Sequence, residues 1–438
     1  MANPFQVRPV TEGELPAFEY VDQHAFNGRP DTERQRANWH ARLELDRTLG
    51  AFDGSTLVGV TGVYTFQMRV PGAMAAVGGV SMVAVLPSHR RRGVLSALMR
   101  RQLGDIAERG EAVAALFASE TPIYGRYGYG RASWHLTLSL ARGHGTLAAG
   151  VPADPGLRQR IAEPRSAHAE MGKVFELALA ERPGLYARTE PWWDRLTHDP
   201  DSDTDQPMRC VLVEDDAGPR GYALFTSEGR WEWEEGTFLP AGVLDVHEAI
   251  AADPAAAVAL WGNVLNRDLI TTFRLHMLAV DDPLLDLLAD SRLGRPRLSD
   301  GLWVRLVDVP RALAQRRYAR PVDLVVEVAD ELCPQNEGRW RLTAAATSAL
   351  SGFSGTCERT TAPADLVLPV RALGAAYLGG TRLGALAAAG LVTERTPGAV
   401  AALSTAMSWD PAPWCPDFTS MQPHYEADLG EAVLRASG

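Results

Sequence analysis

The stretch from Gly78 to Arg100 constrains this chain more than any other. Val80 to Leu86 is apolar and rich in valine, the pattern of a buried strand. Pro87 and Ser88 end the strand, and Arg90, Arg91, Arg92 and Gly93 then form a short basic turn. From Val94 the apolar positions Val94, Leu95, Leu98, Met99, Leu103 and Ile106 recur at helical spacing, with Gly110 as the stop. A strand, a basic glycine-containing turn and a helix N-terminus together make an anion site. The turn's N–H groups and the helix dipole point at the ligand, and the arginines add charge. The plainer reading of the same residues is a strand followed by a basic helix start on a solvated face.

A chain of 438 residues implies two to four domains. Its net charge of −11 argues against a nucleic-acid binder as a whole and is compatible with a cationic small-molecule substrate. Cys210, Cys333, Cys357 and Cys415 are far apart, with no Cys-x-x-Cys and no nearby His pair. They predict buried free thiols rather than a disulfide framework or a metal site. Residues 1–8 lack an apolar signal core, and no run of ~18 apolar residues exists. A cytoplasmic protein without a membrane span is therefore expected.

Taken in order, Val7 opens a short strand, and Thr11 with Glu14 forms a capping-box pattern for a first helix. Residues from His24 to about Arg47, with Phe26 and Trp39 among polar neighbours, read as a loop and helix over a substrate cleft. Leu49 to Val63 is a hairpin about Asp53-Gly54. The sheet continues from Tyr64 to Val70, and Ala112 to Ser119 is another buried strand. Thr121 to Arg131 is a Gly-rich loop among aromatics, and Trp134 to Leu140 alternates as a closing strand. These elements predict an α+β domain over 1–142 with a mixed sheet. Gly143 to Asp154 reads as a linker. A second unit over 155–298 repeats the order without an Arg-x-x-Gly turn, and a third, over 299–418, begins with a strand at Leu302. Residues 419–438 form a C-terminal extension.

Arg-x-x-Gly after a valine-rich strand resembles the acetyl-CoA signature of GCN5-related N-acetyltransferases. Leu95 stands where the general signature has Gly or Ala. The longer motifs narrow the resemblance. They are Val83 to Leu95, Ala118 to Gly130, Arg182-Pro-Gly with Trp192-Trp193, Asp300 to Leu313, Leu373 to Gly380 and Pro413-Trp-Cys-Pro. Together they resemble the Eis (enhanced intracellular survival) family of aminoglycoside N-acetyltransferases, in which Leu95 reads as that family's variant of the turn. The resemblance implies tandem acetyltransferase folds, the second without a cofactor site, then a sterol-carrier-like domain. It also implies acetyl-CoA as cosubstrate, no metal, and assembly as a homohexamer.

Acyl transfer to an amine needs a base for the amine's proton, a donor for the carbonyl oxygen and an acid for the leaving thiolate. The resemblance implies that the Val83, Ala84 and Val85 backbone holds the pantetheine. The turn from Arg90, Arg91, Arg92 and Gly93 through Val94, Leu95 and Ser96 would hold the pyrophosphate. Ser119 and Glu120 would make further cofactor contacts. Tyr124 takes the place of the general acid; its plainer reading is an aromatic packed in a Gly-rich loop. Tyr127 and Tyr129 read as packing residues, and His89 as structural or solvated. In this family the base is the chain's own C-terminal carboxylate. Here the chain runs past Phe418 to Gly438, so three readings stay open: a tail folded away, Gly438 supplying the carboxylate, or substitution by Asp417 or Glu426. The acceptor is expected to be an aminoglycoside-type polyamine, with a protein lysine or small amine metabolite as the alternative. A lipid carrier with a vestigial catalytic domain is a third reading, which the intact Arg90, Arg91 and Gly93 oppose.

Overall fold

The Thr11 capping box forms as its spacing dictates, with the Thr11 N–H donating to the Glu14 carboxylate at 2.9 Å. It lies between strand Gln6–Pro9 (β1) and helix Leu15–Phe26 (α1) in the computed structural model, which describes residues 5–28, 30–197, 207–346 and 352–417. Helix Glu33–His40 (α2) is followed by strands Thr48–Asp53 (β2), Thr56–Val70 (β3) and Ala73–Val85 (β4). Helix Val94–Glu108 (α3), strand Val113–Phe117 (β5), the single turn Thr121–Tyr124 (α4) and strand Gly130–Arg131 (β6) complete this part. Gly110 takes φ +75°, the left-handed stop expected after α3.

The middle of the chain runs through strands Trp134–Ala141 (β7) and Arg158–Ala162 (β8), then helices His168–Glu181 (α5) and Glu190–Thr197 (α6). Strands Arg209–Asp215 (β9) and Gly218–Glu228 (β10) precede a small hairpin, Trp231–Glu234 (β11) and Thr237–Pro240 (β12). Then come Gly242–Ala251 (β13), helix Pro254–Val264 (α7), Ile270–Ala279 (β14), helix Leu284–Leu287 (α8), Arg297–Asp300 (β15) and Leu302–Leu306 (β16). The remaining residues build a six-stranded sheet from residues 317–394, covered by apolar helices that include Val370–Ala376 (α9) and Ala399–Met407 (α10).

Sheet membership departs from the linear reading at two strands. The first sheet has the order β1-β2-β3-β4-β5-β16-β6, and the second β15-β7-β14-β13-β10-β9-β8. The strand expected to close the first domain, β7, therefore lies in the second sheet, while β16, expected to open the third unit, lies in the first. The two segments cross side by side. Leu302 O accepts from Ala132 N at 2.8 Å, Gly301 N donates to Ser133 O at 3.0 Å, and Leu302 N donates to Ser133 Oγ at 2.8 Å. A Cβ on Gly301 would stand 2.5 Å from Ser133 Oγ and would push that hydroxyl off its bond to Leu302 N. Arg305 holds β16 in place. Fully buried, it donates to both Asp330 oxygens at 2.7 and 2.8 Å and to Tyr127 O at 2.9 Å. Apolar alternation marks a strand but carries no information about which edge it joins.

Candidate active site

Strands β4 and β5 are parallel neighbours only over Val77–Gly79 against Val113–Ala115. Beyond Gly79 they part. Met82, at φ +54° where the register with β3 shifts, makes a bulge in β4. From Val80 to Val85 the β5-facing edge of β4 has no ladder partner among the described residues. Predicted contacts Val83, Ala84 and Val85 lie on this open edge. Ala84 is buried toward α1, while Val83 and Val85 point to the α3 side.

The basic turn follows directly. Arg91 and Gly93 adopt φ +61° and +89°, so successive N–H groups turn inward as a nest at the start of α3. Gly93 is the helix N-cap and has no side chain to cap with, which leaves the first-turn N–H groups of Val94, Leu95 and Ser96 for a ligand. The three arginines differ. Arg92 donates to Asp53 at 3.3 Å and lies over the Phe5 ring, whereas Arg90 and Arg91 are exposed with no ion-pair partner among the described residues. His89 pairs with Asp53 at 3.3 Å and with the Ser88 hydroxyl at 2.9 Å, a local structural role.

Tyr124 sits at the end of α4, 5% exposed, packed with Val80, Met99, Leu116 and the half-buried Val83 and Leu95. It shares this cluster with Val83 of β4 and with Leu95 in the first turn of α3. Burial pushes the phenol up to about 12, with the neighbouring Ser119 hydroxyl opposing. It is therefore protonated at neutral pH. Ser119 and Glu120 are exposed at the end of β5. Tyr127 binds Ser96 through their hydroxyls at 3.1 Å, tying this loop to α3, and Tyr129 is fully buried against Tyr124.

The opposite face of β3 and β4 carries a second group of residues that the sequence reading did not single out, apart from Trp39 and Trp192. Trp39 stacks on Phe18 and donates Nε1–H to the Met82 sulfur at 3.1 Å. Tyr64 meets Trp192 edge-on at 5.1 Å, and Phe66 lies against Tyr186 and Trp192. Asp22, on α1, has a buried Oδ1 with no hydrogen-bond partner among the described residues. Burial, then the nearby Asp31 charge, raises its carboxyl to about 7. Arg42 lies over the Trp192 ring, and burial, then Arg195, lowers it to about 10. A lone acid in a helix is common in sequence; only its burial marks Asp22.

The end of the described chain reaches this face. Ala412 N donates to Asp281 at 2.9 Å, Arg182 donates to Ala412 O at 2.8 Å, and Trp414 N donates to Pro183 O at 2.9 Å. Trp414 Nε1–H donates to Met277 O at 2.5 Å, and Asp417 is salt-bridged to Arg195. A Cβ on Gly184 would lie 2.7 Å from Trp414 O, so this strap requires glycine. Asp417, one of the acids considered as a base, is thus already bound to an arginine. Phe418, Glu426 and Gly438 lie outside the described residues.

The fold is matched by known proteins. Residues 6–132 and 184–306 each match an acetyltransferase (GNAT) domain model, and residues 309–416 match a sterol carrier protein domain. The N-acetyltransferase Eis of Mycobacterium tuberculosis is 32% identical over 86% of this chain and 90% of its own length. The chain belongs to the Eis family of N-acetyltransferases. An uncharacterized N-acetyltransferase of Streptomyces avermitilis is 42% identical over 90% of this chain and 94% of its length. The crystal structure of Eis1 from Mycobacterium abscessus superposes with a TM-score of 0.79 and 33% identity, covering 94% of this chain and all of that one. The Eis-type architecture, tandem GNAT folds followed by a sterol-carrier-like domain, is therefore the one the sequence predicts. None of the described helices is long and apolar enough to cross a membrane.

Proposed function

We propose that this Eis-type enzyme transfers an acetyl group from acetyl-CoA to an amine of an aminoglycoside-type polyamine. The observation that carries this reading is the open edge of β4, with a buried protonated tyrosine on one face and a buried carboxyl on the other. The cosubstrate fits the first face. The unpaired Val80–Val85 backbone suits the amides of a pantetheine arm, and the nest at Arg91–Gly93 with Arg90 and Arg91 suits a pyrophosphate. Bound there, acetyl-CoA supplies a thioester. Tyr124 then donates its phenolic proton toward the leaving sulfur, and its high pKa keeps that proton available. Asp22 faces the acceptor side, where a carboxylate near neutrality both attracts an ammonium group and accepts its proton. Trp39, half-buried beside Met82, offers the ring on this side that suits the apolar face of a sugar or an attached cation. A division of the chain into three units, with β7 and β16 exchanged between the first two sheets, assembly as a homohexamer and a cytoplasmic location belong to the same proposal.

The test is CoA release with kanamycin or tobramycin as acceptor, comparing wild type with Tyr124→Phe. Aminoglycoside-dependent release that falls at least a hundredfold in the variant is expected. Absence of such release from wild type overturns the substrate; an unchanged kcat in the variant overturns the role of Tyr124. If a lysine peptide is acetylated in place of the aminoglycoside, the acceptor is a protein.

A further inference from the structure

We propose that the hairpin β11–β12 of one copy adds to the free edge of β15 on a second copy, joining their second sheets; this rests on assembly as a homohexamer and names one of its contacts. The hairpin leaves Trp231 and Trp233 58% and 64% exposed, and Phe238 63%. Trp233 stands opposite Phe238, with their rings 4.8 Å apart, and Trp231 stands opposite Pro240, so these four share one face. Glu232 and Glu234 alternate onto the other face, and with Glu235 they have no ion-pair partner among the described residues. Two strands with a bare aromatic face are marginal in water, so this face calls for a cover.

The backbone shows which strand of the hairpin can pair. Ala241 N donates to Arg230 O at 2.8 Å, so the next pair, Trp231 and Pro240, turns its backbone groups outward. Pro240 has no N–H to offer on the β12 side. Trp231 and Trp233 offer both N–H and C=O along the β11 side.

Strand β15 has the complementary pattern. It ends the second sheet, and its outer edge has no ladder partner among the described residues. Arg295 and Arg297 are exposed without an ion-pair partner among the described residues, in a chain whose net charge is −11. Leu293 and Leu298 are exposed beside them. Along β15, Arg297 and Leu298 point to opposite faces, as Glu232 and Trp233 do along β11. Pairing the two edges in one register sets Leu298 on the tryptophan face and Arg297 on the glutamate face, with ladder bonds between the strands. A slip of one residue would put Arg297 against the indoles. Charge and apolar pattern therefore agree on a second copy of this chain as the occupant. The two surfaces differ, so copies joined this way close as a ring that leaves neither edge bare.

The test is the mass of the full-length protein by light scattering during gel filtration. Wild type is expected as a hexamer. Arg297→Glu, which sets like charges face to face, and Trp233→Ser are each expected to lower the mass at least about twofold. Glu232→Arg and Glu234→Arg, added to Arg297→Glu, are expected to restore it. All four positions are exposed, so the circular dichroism of every variant should match that of wild type. A hexamer that survives both Arg297→Glu and Trp233→Ser overturns the hairpin contact and leaves the assembly standing. A charge-swapped variant that stays dissociated overturns the register, and a monomeric wild type overturns contact and hexamer together.

Discussion

Replacing Asp22 with Asn should make the protein more stable and less active, and the two effects share one cause. The carboxyl is raised from the ordinary 3.8 to about 7, first by burial and then by Asp31. Below about pH 4 the group is protonated in both folded and unfolded chains and costs nothing. As pH rises toward 7 the unfolded chain releases the proton and the folded chain keeps it, so stability falls. Above about pH 7 the loss is complete, with a ceiling of about 4 kcal/mol. Asn has nearly the same shape and no charge to desolvate. The melting temperature of Asp22→Asn should therefore exceed that of wild type at pH 8, and by much less at pH 5. In the same preparations kcat/KM should fall about a hundredfold. The rise in rate through pH 7, expected while Asp22 loses its proton, should disappear. A variant no more stable than wild type at pH 8 would refute the strained-carboxyl reasoning. A variant more stable but fully active would leave the burial correct and remove Asp22 from the chemistry.

Other perturbations follow from the same structure. Because Tyr124 titrates only near 12, its alkaline limb should be missing from wild-type rate profiles up to about pH 10, read as CoA release against pH. Arg90→Ala and Arg91→Ala should each raise KM for acetyl-CoA about tenfold through lost charge-assisted contacts. Arg92→Ala, whose guanidinium is occupied by Asp53 and Phe5, should change it less than threefold, measured by initial rates. Arg188→Met should destabilise the second domain by about 3–5 kcal/mol, measured by denaturant unfolding. It strands Glu248, which is fully buried and otherwise receives Arg188 at 2.6 Å and the Tyr222 hydroxyl at 2.5 Å.

Much of the half proposed to hold the cofactor was legible in the primary structure because its determinants are local. A valine run, an Arg-x-x-Gly turn and an amphipathic helix are contiguous, and each residue's role depends on neighbours within a few positions. The same is true of the Ser119–Tyr124 segment and of the helix stop at Gly110. The opposite face of β3 and β4, proposed to receive the acceptor, was less legible. Asp22, Trp39, Tyr64, Trp192 and Asp417 lie in different elements and meet only after folding. The exchange of β7 and β16 was invisible for a related reason: each has the apolar pattern of a strand, and a pattern of period two does not encode a partner.

By itself, then, the amino-acid order determined the family, the α+β class and the basic turn between β4 and α3. These are properties of short-range backbone geometry and composition. Tertiary structure alone decided that Arg92 is diverted from the arginine turn to Asp53, that Asp22 is a carboxyl titrating near neutrality, and that Asp417 is bound to Arg195 rather than free. Each of these depends on desolvation and on charges brought close by distant parts of the chain. Those quantities come into existence only when the chain is packed.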